Sequence, residues 1–576
     1  MKSISISFFF ATLYCLLSIS CVAQIPYLKK DNSATTLMVD GKPFLILGSE
    51  MHNSTGTDTA AVTAVMKQAK MLNMNTVLGY AYWEMVEPSE GRFNFYLVDH
   101  LIKSAEKEDL KLILVWFGSW KSTTSSYAPE WVKTNPKRFE RYALADKTTL
   151  EILSPFCEEN LKADTKAYVA LMKHLKETDI KHTVIMLQPE NEPGTFSSYR
   201  DFSPKAEKAW NTNVPNDVID YLKNNKANLF PALEKSWTAN GNKINGKWAE
   251  LFGDIQGFPH YAEELFSAYF YSKFINSLTS EGRKVLDLPS YCNGWLYNKL
   301  GNYPHGTINP HVLDMYHAAG KALDFYSPNV YSLDYDQLFS DYKTGGKTLF
   351  IPESILSPAG ALYAIGEYDA IGFAPYGIDG WNPADKNQKL LSEVNKTLQE
   401  MQGLIMSRFN SNEMRGLYQA PMARNKSIEI GDYILSVSSA ESHRFAIDFG
   451  KSLEKAGKET ISFPQLMGIE VPEGMPHQEE QKSTPPNPFA GLPKDFGAAI
   501  IMMNSPDEFY IAGYGLRVDF ALKNGVTFNH LGYRSIDKGY FKNNEFIVTK
   551  RWNGDELKTV LPADELTVLK VRLYRN

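Results

Sequence analysis

Between Phe44 and Gly377 the chain repeats one device eight times: a short apolar or β-branched run, a cluster of polar and aromatic residues at its end, then a connection that is mostly amphipathic. The runs are FLILGSE from Phe44, NTVLGYAYW from Asn75, KLILVWFGSW from Lys111 and TVIMLQPE from Thr183, followed by KVLDLPSYCN from Lys284, DFYSPNVY from Asp324, KTLFIPE from Lys347 and AIGFAPYG from Ala370. Stretches such as residues 60–73, 97–110 and 164–178 separate them, with apolar residues at i, i+3, i+4 and i+7, the helical period. Strands that alternate with helices demand a parallel sheet, because a parallel partner is reached only through a long crossover. Eight such units predict a (β/α)8 TIM barrel of the α/β class. A doubly wound open sheet is the alternative, but no glycine-rich dinucleotide turn follows the first run.

A barrel carries its chemistry at the C-terminal ends of its strands. At those ends stand Glu50 and His52, Tyr82 to Glu84, Trp120 and Lys121, Glu190 to Glu192, Asn293 and Trp295, Asn329 and Tyr331, Glu353, and Tyr376. The connection from about 195 to 283 holds further helices, including EELFSAYFYSKFINSL, and is long enough to roof the mouth. Past the helical stretch 390–405 the period changes to two, in SIEIGDYILSV, HRFAIDF, AAIIMMN, EFYIAGYGLRVDFAL and ELTVLKVRLY. That change predicts a C-terminal β-sandwich over 421–576, after a catalytic domain over 24–420. The proline-rich stretch 471–496 is expected to be a long loop.

With 576 residues, 43% of them hydrophobic, the chain can bury a large core. Its net charge of -6 offers no field for a phosphate backbone, so no nucleic acid partner is expected. Lys2, the run ISISFFFATLYCLLSIS and the small residues before Gln24 predict a signal peptide over 1–23, hence export to a periplasm. Cleavage before Cys21, giving an outer-membrane lipoprotein, is the alternative. The run is too short for a comfortable span, so no transmembrane segment is expected. Cys157 and Cys292 form no disulfide framework and no metal-ligand spacing, and read as buried thiols. His52 has no partner at ligand spacing, so neither a metal nor any other cofactor is expected; it is read as structural or as a hydrogen-bond partner of substrate. No Gly-x-Ser-x-Gly elbow, P-loop or H-E-x-x-H occurs.

Glu192 and Glu353 end the fourth and seventh runs and would face each other across the mouth. Glycoside hydrolysis needs such a pair, one carboxyl to protonate the leaving oxygen and one carboxylate to attack the anomeric carbon. Glu87, before Pro88 and Gly91, reads as the structural end of a turn. Trp83 and Trp120 read as sugar platforms, since ring faces suit the C–H surfaces of sugars and both rings end strands.

These residues resemble glycoside hydrolase family 35 β-galactosidases. LQPENEPG resembles the family's Q-x-E-N-E signature, FLILGSEMHNS its first-strand S-G-x-x-H-Y segment, and MNTVLGYAYWEMVEPSEGRFNF its N-T-x-x-x-Y-x-x-W-x-x-x-E-P-x-x-G-x-F-D-F stretch. The resemblance covers roughly residues 37 to 380. It implies a retaining (β/α)8 enzyme with Glu192 as acid/base, Asn191 as donor to the sugar 2-hydroxyl, Glu353 as nucleophile and Tyr331 bonded to that nucleophile. Departures lie where hydroxyl-reading residues belong: Trp83-Glu84 replaces Trp-Asn, WFGSWKSTTSSYAPEW replaces the A-E-W segment, and Pro193 stands where an aromatic is common. Tyr82, Trp83, Glu84, Trp120, Lys121, Glu190 and His52 complete the expected substrate-binding set around a β-galactoside. A β-glucosidase, an α-L-arabinopyranosidase and a glycan-binding barrel without catalysis are the alternatives. The C-terminal domain is expected to buttress the barrel rather than to bind glycan.

Overall fold

Asp58 starts the first long helix: its side chain accepts from the backbone N–H groups of Ala60 and Ala61, donors that the first helical turn leaves open. The computed structural model describes residues 24–31, 34–255, 257–295, 302–344, 347–380, 382, 384–419, 425–440, 497–523 and 531–575. The expected leader over 1–23 with Cys21, the segment HRFAIDF and the proline-rich stretch 471–496 lie outside the described residues.

Each of the eight runs contains a strand: β1 (Ile46–Glu50), β2 (Thr76–Tyr82), β3 (Lys111–Lys121), β4 (Val184–Asn191), β5 (Tyr291–Gly294), β6 (Phe325–Val330), β7 (Glu353–Ser354) and β8 (Gly372–Phe373). A helix follows each: α1 (Thr59–Met71), α2 (Tyr96–Lys107), α3 (Glu158–Thr178), α4 (Tyr261–Arg283), α5 (Leu313–Ala319), α6 (Asp336–Lys343), α7 (Pro358–Tyr368) and α8 (Lys386–Met406). The last four strands of this set are shorter than their runs. The fifth begins only at Tyr291, because α4 continues to Arg283 and Pro289 brings no N–H to a ladder.

All strand pairs are parallel, in a sheet of order β8-β1-β2-β3-β4 and a second of order β5-β6-β7. Single parallel bridges link Leu187 to Ser290 and Ile351 to Phe373, where the two sheets approach. The parallel sheet is thus curled. One buried cluster draws Ile46, Leu78, Ile113, Met186, Tyr291, Phe325, Phe350 and Ile371 together, a side chain from each of the eight runs. Leu37 and Val39, on a small antiparallel sheet at the N-terminal side, join that cluster and close its lower end. Near-continuous apolar runs are what such strands require, since one face meets this inner cluster and the other meets the helices.

The C-terminal part is β-rich. Its first strand, β9 (Met414–Gln419), lies just ahead of the boundary expected at 420, and is followed by β10 (Lys426–Ile430), β11 (Tyr433–Ser439), β12 (Gly497–Ser505), β13 (Glu508–Tyr514), β14 (Leu516–Leu522), β15 (Leu531–Lys542), β16 (Glu545–Arg551) and β17 (Thr567–Arg575). Sheets of order β9-β12-β13-β17-β15-β16 and β10-β11-β14 share one core, including Leu417, Ile501 and Ile511 from the first and Leu435, Val437 and Val518 from the second. The period-two run from Glu508 to Leu522 splits at Gly515, whose φ of +67° turns the chain from one sheet into the other. The helix after β7, α7, packs against β9 and β12. Glu367 on α7 accepts from Arg415 Nε at 2.9 Å and from the Gly416 N–H at 3.0 Å, so an ion pair and a backbone bond fasten the two parts together.

Candidate active site

β4 ends in an unusual backbone: Glu190 and Glu192 both adopt left-handed φ, +65° and +49°, on either side of Asn191. Such conformations cost roughly 1 kcal/mol or more each for a residue with a Cβ. Their effect is to send the two glutamates to different partners. Glu190 turns under the end of β3, where its Oε1 accepts from the Ser119 N–H at 3.0 Å and its Oε2 from the Trp120 N–H at 2.6 Å. Asp164 on α3 takes the Ser119 N–H at 2.9 Å and Trp116 Nε1 at 2.8 Å. Burial, and then the charge of Asp164, push the Glu190 carboxyl well up.

The clasp needs Gly118: a Cβ there would lie 2.4 Å from Trp116 Nε1 and 2.6 Å from Glu190 Oε1. It also explains why the β3–β4 register shifts between Trp116 and Lys121. That irregularity delivers Lys121 and Ser122 to Glu192, with Ser122 Oγ donating to Glu192 Oε2 at 2.7 Å and Lys121 Nζ 3.6 Å from the same oxygen. Burial opposes the Lys121 charge, but the charges of Glu192, Glu353 and Glu50 outweigh it and raise its pKa, so the ammonium is held.

Glu192 and Glu353 are 3% and 7% exposed and meet through Asn329, at the end of β6. Its Nδ2 donates to Glu192 Oε1 at 2.6 Å and to Glu353 Oε2 at 2.8 Å. The two bonds laid end to end span 5.4 Å, the largest separation these carboxylate oxygens can have. Tyr331 donates its hydroxyl to Glu353 Oε1. Burial first, and then the charge of Glu192, push the Glu353 carboxyl up to about 7, against Lys121 and the Tyr331 bond. The Glu353 carboxyl, buried and facing a second carboxyl, therefore binds its proton more tightly than an exposed glutamate does.

Glu50, at the end of β1, is the third carboxyl here, 2% exposed and bonded to the Tyr80 hydroxyl at 2.9 Å. Burial and then Glu353 raise its pKa well up, and Tyr376 feels both carboxyls. Position at a strand end was the sole sequence signal for Glu50, Asn293 and Asn329, and Ser122 and Tyr80 had no assigned part.

Several expected binding residues are not in the cleft. Glu190 is fully buried and serves the β3 backbone rather than substrate. Trp83 is 0% exposed with its Nε1 on Glu87, and Trp120 is 1% exposed, with its Nε1 on the Leu153 carbonyl and its ring edge-on to Tyr271 and Phe274. Neither is a sugar platform, because packing against helices closes both from solvent. Glu87, in contrast, is structural as expected, accepting from Trp83 and from the Gly91 N–H. Tyr82 is buried, with its hydroxyl on the Asn53 carbonyl at 2.6 Å. Glu84 pairs with Lys133 at 3.1 Å, and His52 stands half-exposed at the rim, paired with Asp379 at 3.0 Å. Asn191 is buried beside Glu192; its Nδ2 donates to Asn293 Oδ1 at 3.3 Å, while its Oδ1 has no partner. Among the described residues, Phe196 is a ring 51% exposed to solvent, with Trp295 edge-on to it at 5.7 Å. No group of three or more His, Cys, Asp or Glu suited to a metal occurs among the described residues. A Trp120→Ala substitution is expected to cost about 3–5 kcal/mol of unfolding free energy, as a truncated core ring does, checked by denaturant titration.

Residues 36–246 match the family model "Glycosyl hydrolases family 35", and residues 391–562 match a domain of unknown function, DUF5597. A β-galactosidase of Xanthomonas manihotis is 22% identical over 336 residues, covering 53% of this chain and 51% of the relative, so the chain spans about half of that relative's length. Beta-galactosidase 11 of Arabidopsis thaliana is 34% identical over 61 residues, 11% of this chain and 7% of that protein. Among solved structures, a β-galactosidase from Bacillus circulans sp. alkalophilus aligns with a TM-score of 0.44 at 15% identity, over 63% of this chain and 57% of that one. A family 42 β-galactosidase from G. stearothermophilus aligns with a TM-score of 0.47 at 11% identity, over 92% of this chain and 98% of that one. Residues 36–246 are thus similar to the glycosyl hydrolases of family 35.

Proposed function

We propose that this protein is a retaining exo-β-galactosidase that removes terminal β-D-galactosyl residues from oligosaccharides or polysaccharide side chains. The observation that carries the reading is the carboxylate pair itself, Glu192 and Glu353, bridged by one amide nitrogen with their nearest oxygens no more than 5.4 Å apart. Retaining enzymes keep their carboxyls about 5–5.5 Å apart, whereas inverting ones leave more room for a water. Glu353 attacks the anomeric carbon, the C–O bond to the aglycone breaks, and Glu192 gives its proton to the departing oxygen. Water, deprotonated by Glu192, then displaces Glu353 and restores both groups. Tyr331 holds the attacking carboxylate, Asn191 reads the 2-hydroxyl, and Phe196 with Trp295 offers ring faces on the aglycone side beside Glu192. The eight strands form one closed (β/α)8 barrel, the bridges at Leu187 and Ile351 joining its two sheets, and the β-rich part that begins with β9 at Met414 forms a two-sheet sandwich that buttresses it. The apolar run after Lys2 supports export.

Galactose specificity rests on the family match and the named relatives. Purified protein is expected to release nitrophenol from the β-D-galactoside faster than from the β-D-glucoside or the α-L-arabinopyranoside, and galactose from natural oligosaccharides. Preference for either other glycoside would overturn the sugar assignment, and binding of sugar without turnover of any would overturn the hydrolase.

A further inference from the structure

We propose that Asn329 is a positioning residue that sets the separation and protonation of the two carboxyls, and that Asn293 and Gln188 fix the sense of its amide. The inference rests on the hydrolase reading above.

Asn293 Oδ1 accepts from three donors: Gln188 Nε2 at 3.1 Å, Asn191 Nδ2 at 3.3 Å and the Glu192 N–H at 3.2 Å. Turning this amide over would set its NH₂ against all three donors, so its orientation is determined. Its Nδ2 consequently faces Asn329 and donates to Oδ1 at 3.1 Å. That bond orients the second amide in turn, and both hydrogens of Asn329 point at carboxyl oxygens, one at Glu192 and one at Glu353. The three amides, of Gln188, Asn293 and Asn329, are buried, each 1% exposed.

The chemistry explains why a neutral two-hydrogen donor suits this place. In the first half-reaction Glu353 loses its charge as the glycosyl ester forms, while Glu192 gains one as its proton leaves. An amide with one N–H on each carboxyl keeps a donor on whichever is charged. A cation there would favour the ionised form of both and oppose the proton that Glu192 must carry.

The groups facing Glu353 are Glu192 just after β4, Lys121 on β3, Glu50 and Tyr80 from β1 and β2, Tyr291 on β5, Tyr331 after β6 and Tyr376 after β8. Removing the amide takes an N–H from each carboxylate and leaves these groups in place, so both carboxyls should bind protons more tightly. For Asn329→Ala, kcat is expected to fall about 10- to 100-fold with KM within about threefold, the pattern of a lost transition-state contact. Both limbs of the kcat/KM profile should move to higher pH by about half a unit or more. Asn329→Ser, which keeps one hydroxyl donor in a smaller gap, should fall between Ala and wild type.

Stability against pH supplies a readout that needs no substrate. A carboxyl raised from 4.5 to about 7 in the folded state contributes stability that is present below 4.5 and lost as pH rises through 7. In either variant that loss should shift to higher pH. A folded variant whose pH limbs and stability profile coincide with wild type overturns the proposal, whatever its kcat. A wild type that cleaves no glycoside overturns the hydrolase reading instead, and the stability profiles then decide the role of Asn329.

Discussion

Glu353→Ala is expected to lower kcat by roughly 10⁴-fold or more, about 5 kcal/mol of barrier, while leaving the fold intact. The first half-reaction has no other group to replace it: Tyr331 and Asn329 donate hydrogen bonds, Lys121 is an ammonium, and Glu50 is held up by burial and turned to Tyr80. Truncation leaves a gap at the end of β7, lined by the two donors that had served a carboxylate. Azide is a small anion suited to both, and it should attack the anomeric carbon from the face Glu353 occupied. The product is then the inverted glycosyl azide, in one displacement, with Glu192 still protonating the aglycone. Product anomer by proton NMR is the measurement. Full activity in the alanine variant, or a retained azide, would remove Glu353 from the role of nucleophile.

The repeat of eight apolar runs could be read because a strand buried on both faces leaves no polar alternation, and Ile46, Leu78, Ile113 and Met186 lie where such runs predict. The pair Glu192 and Glu353 was marked in the sequence by position, each carboxyl standing at the end of an apolar run, the fourth and the seventh of the eight. What failed was direction. Trp83, Trp120 and Glu190 end strands just as Glu192 does, yet they point into packing, because a left-handed residue at 190 and an irregular β3–β4 register set which way each side chain turns. Neither leaves a mark in the local pattern, since glutamate is not a residue that advertises φ above zero. Gly118 was the nearest visible signal. Partners distant in sequence were equally silent: Asn329 and Glu192 are 137 residues apart, and only the curl of the sheet joins them.

The second large effect concerns Glu192 and should depend on the leaving group. With an aglycone that departs unaided, such as dinitrophenolate, Glu192→Ala should keep kcat/KM within about tenfold of wild type, because glycosylation then needs no general acid. With an alkyl or sugar aglycone the same substitution should cost about 10²–10⁴-fold, the usual worth of a positioned proton donor. Hydrolysis of the glycosyl ester on Glu353 also slows, since no base remains to take the proton of water, and the ester should accumulate as a burst. Azide needs no deprotonation, so it should relieve that step and give the retained glycosyl azide, the opposite anomer to the Glu353→Ala product. Lys121 sharpens the test: it stands 3.6 Å from Glu192 Oε2 and Ser122 Oγ 2.7 Å from the same oxygen, and both remain after truncation as donors to an incoming anion. A loss that is the same for every leaving group would mean that Glu192 binds or positions the sugar rather than transferring the proton.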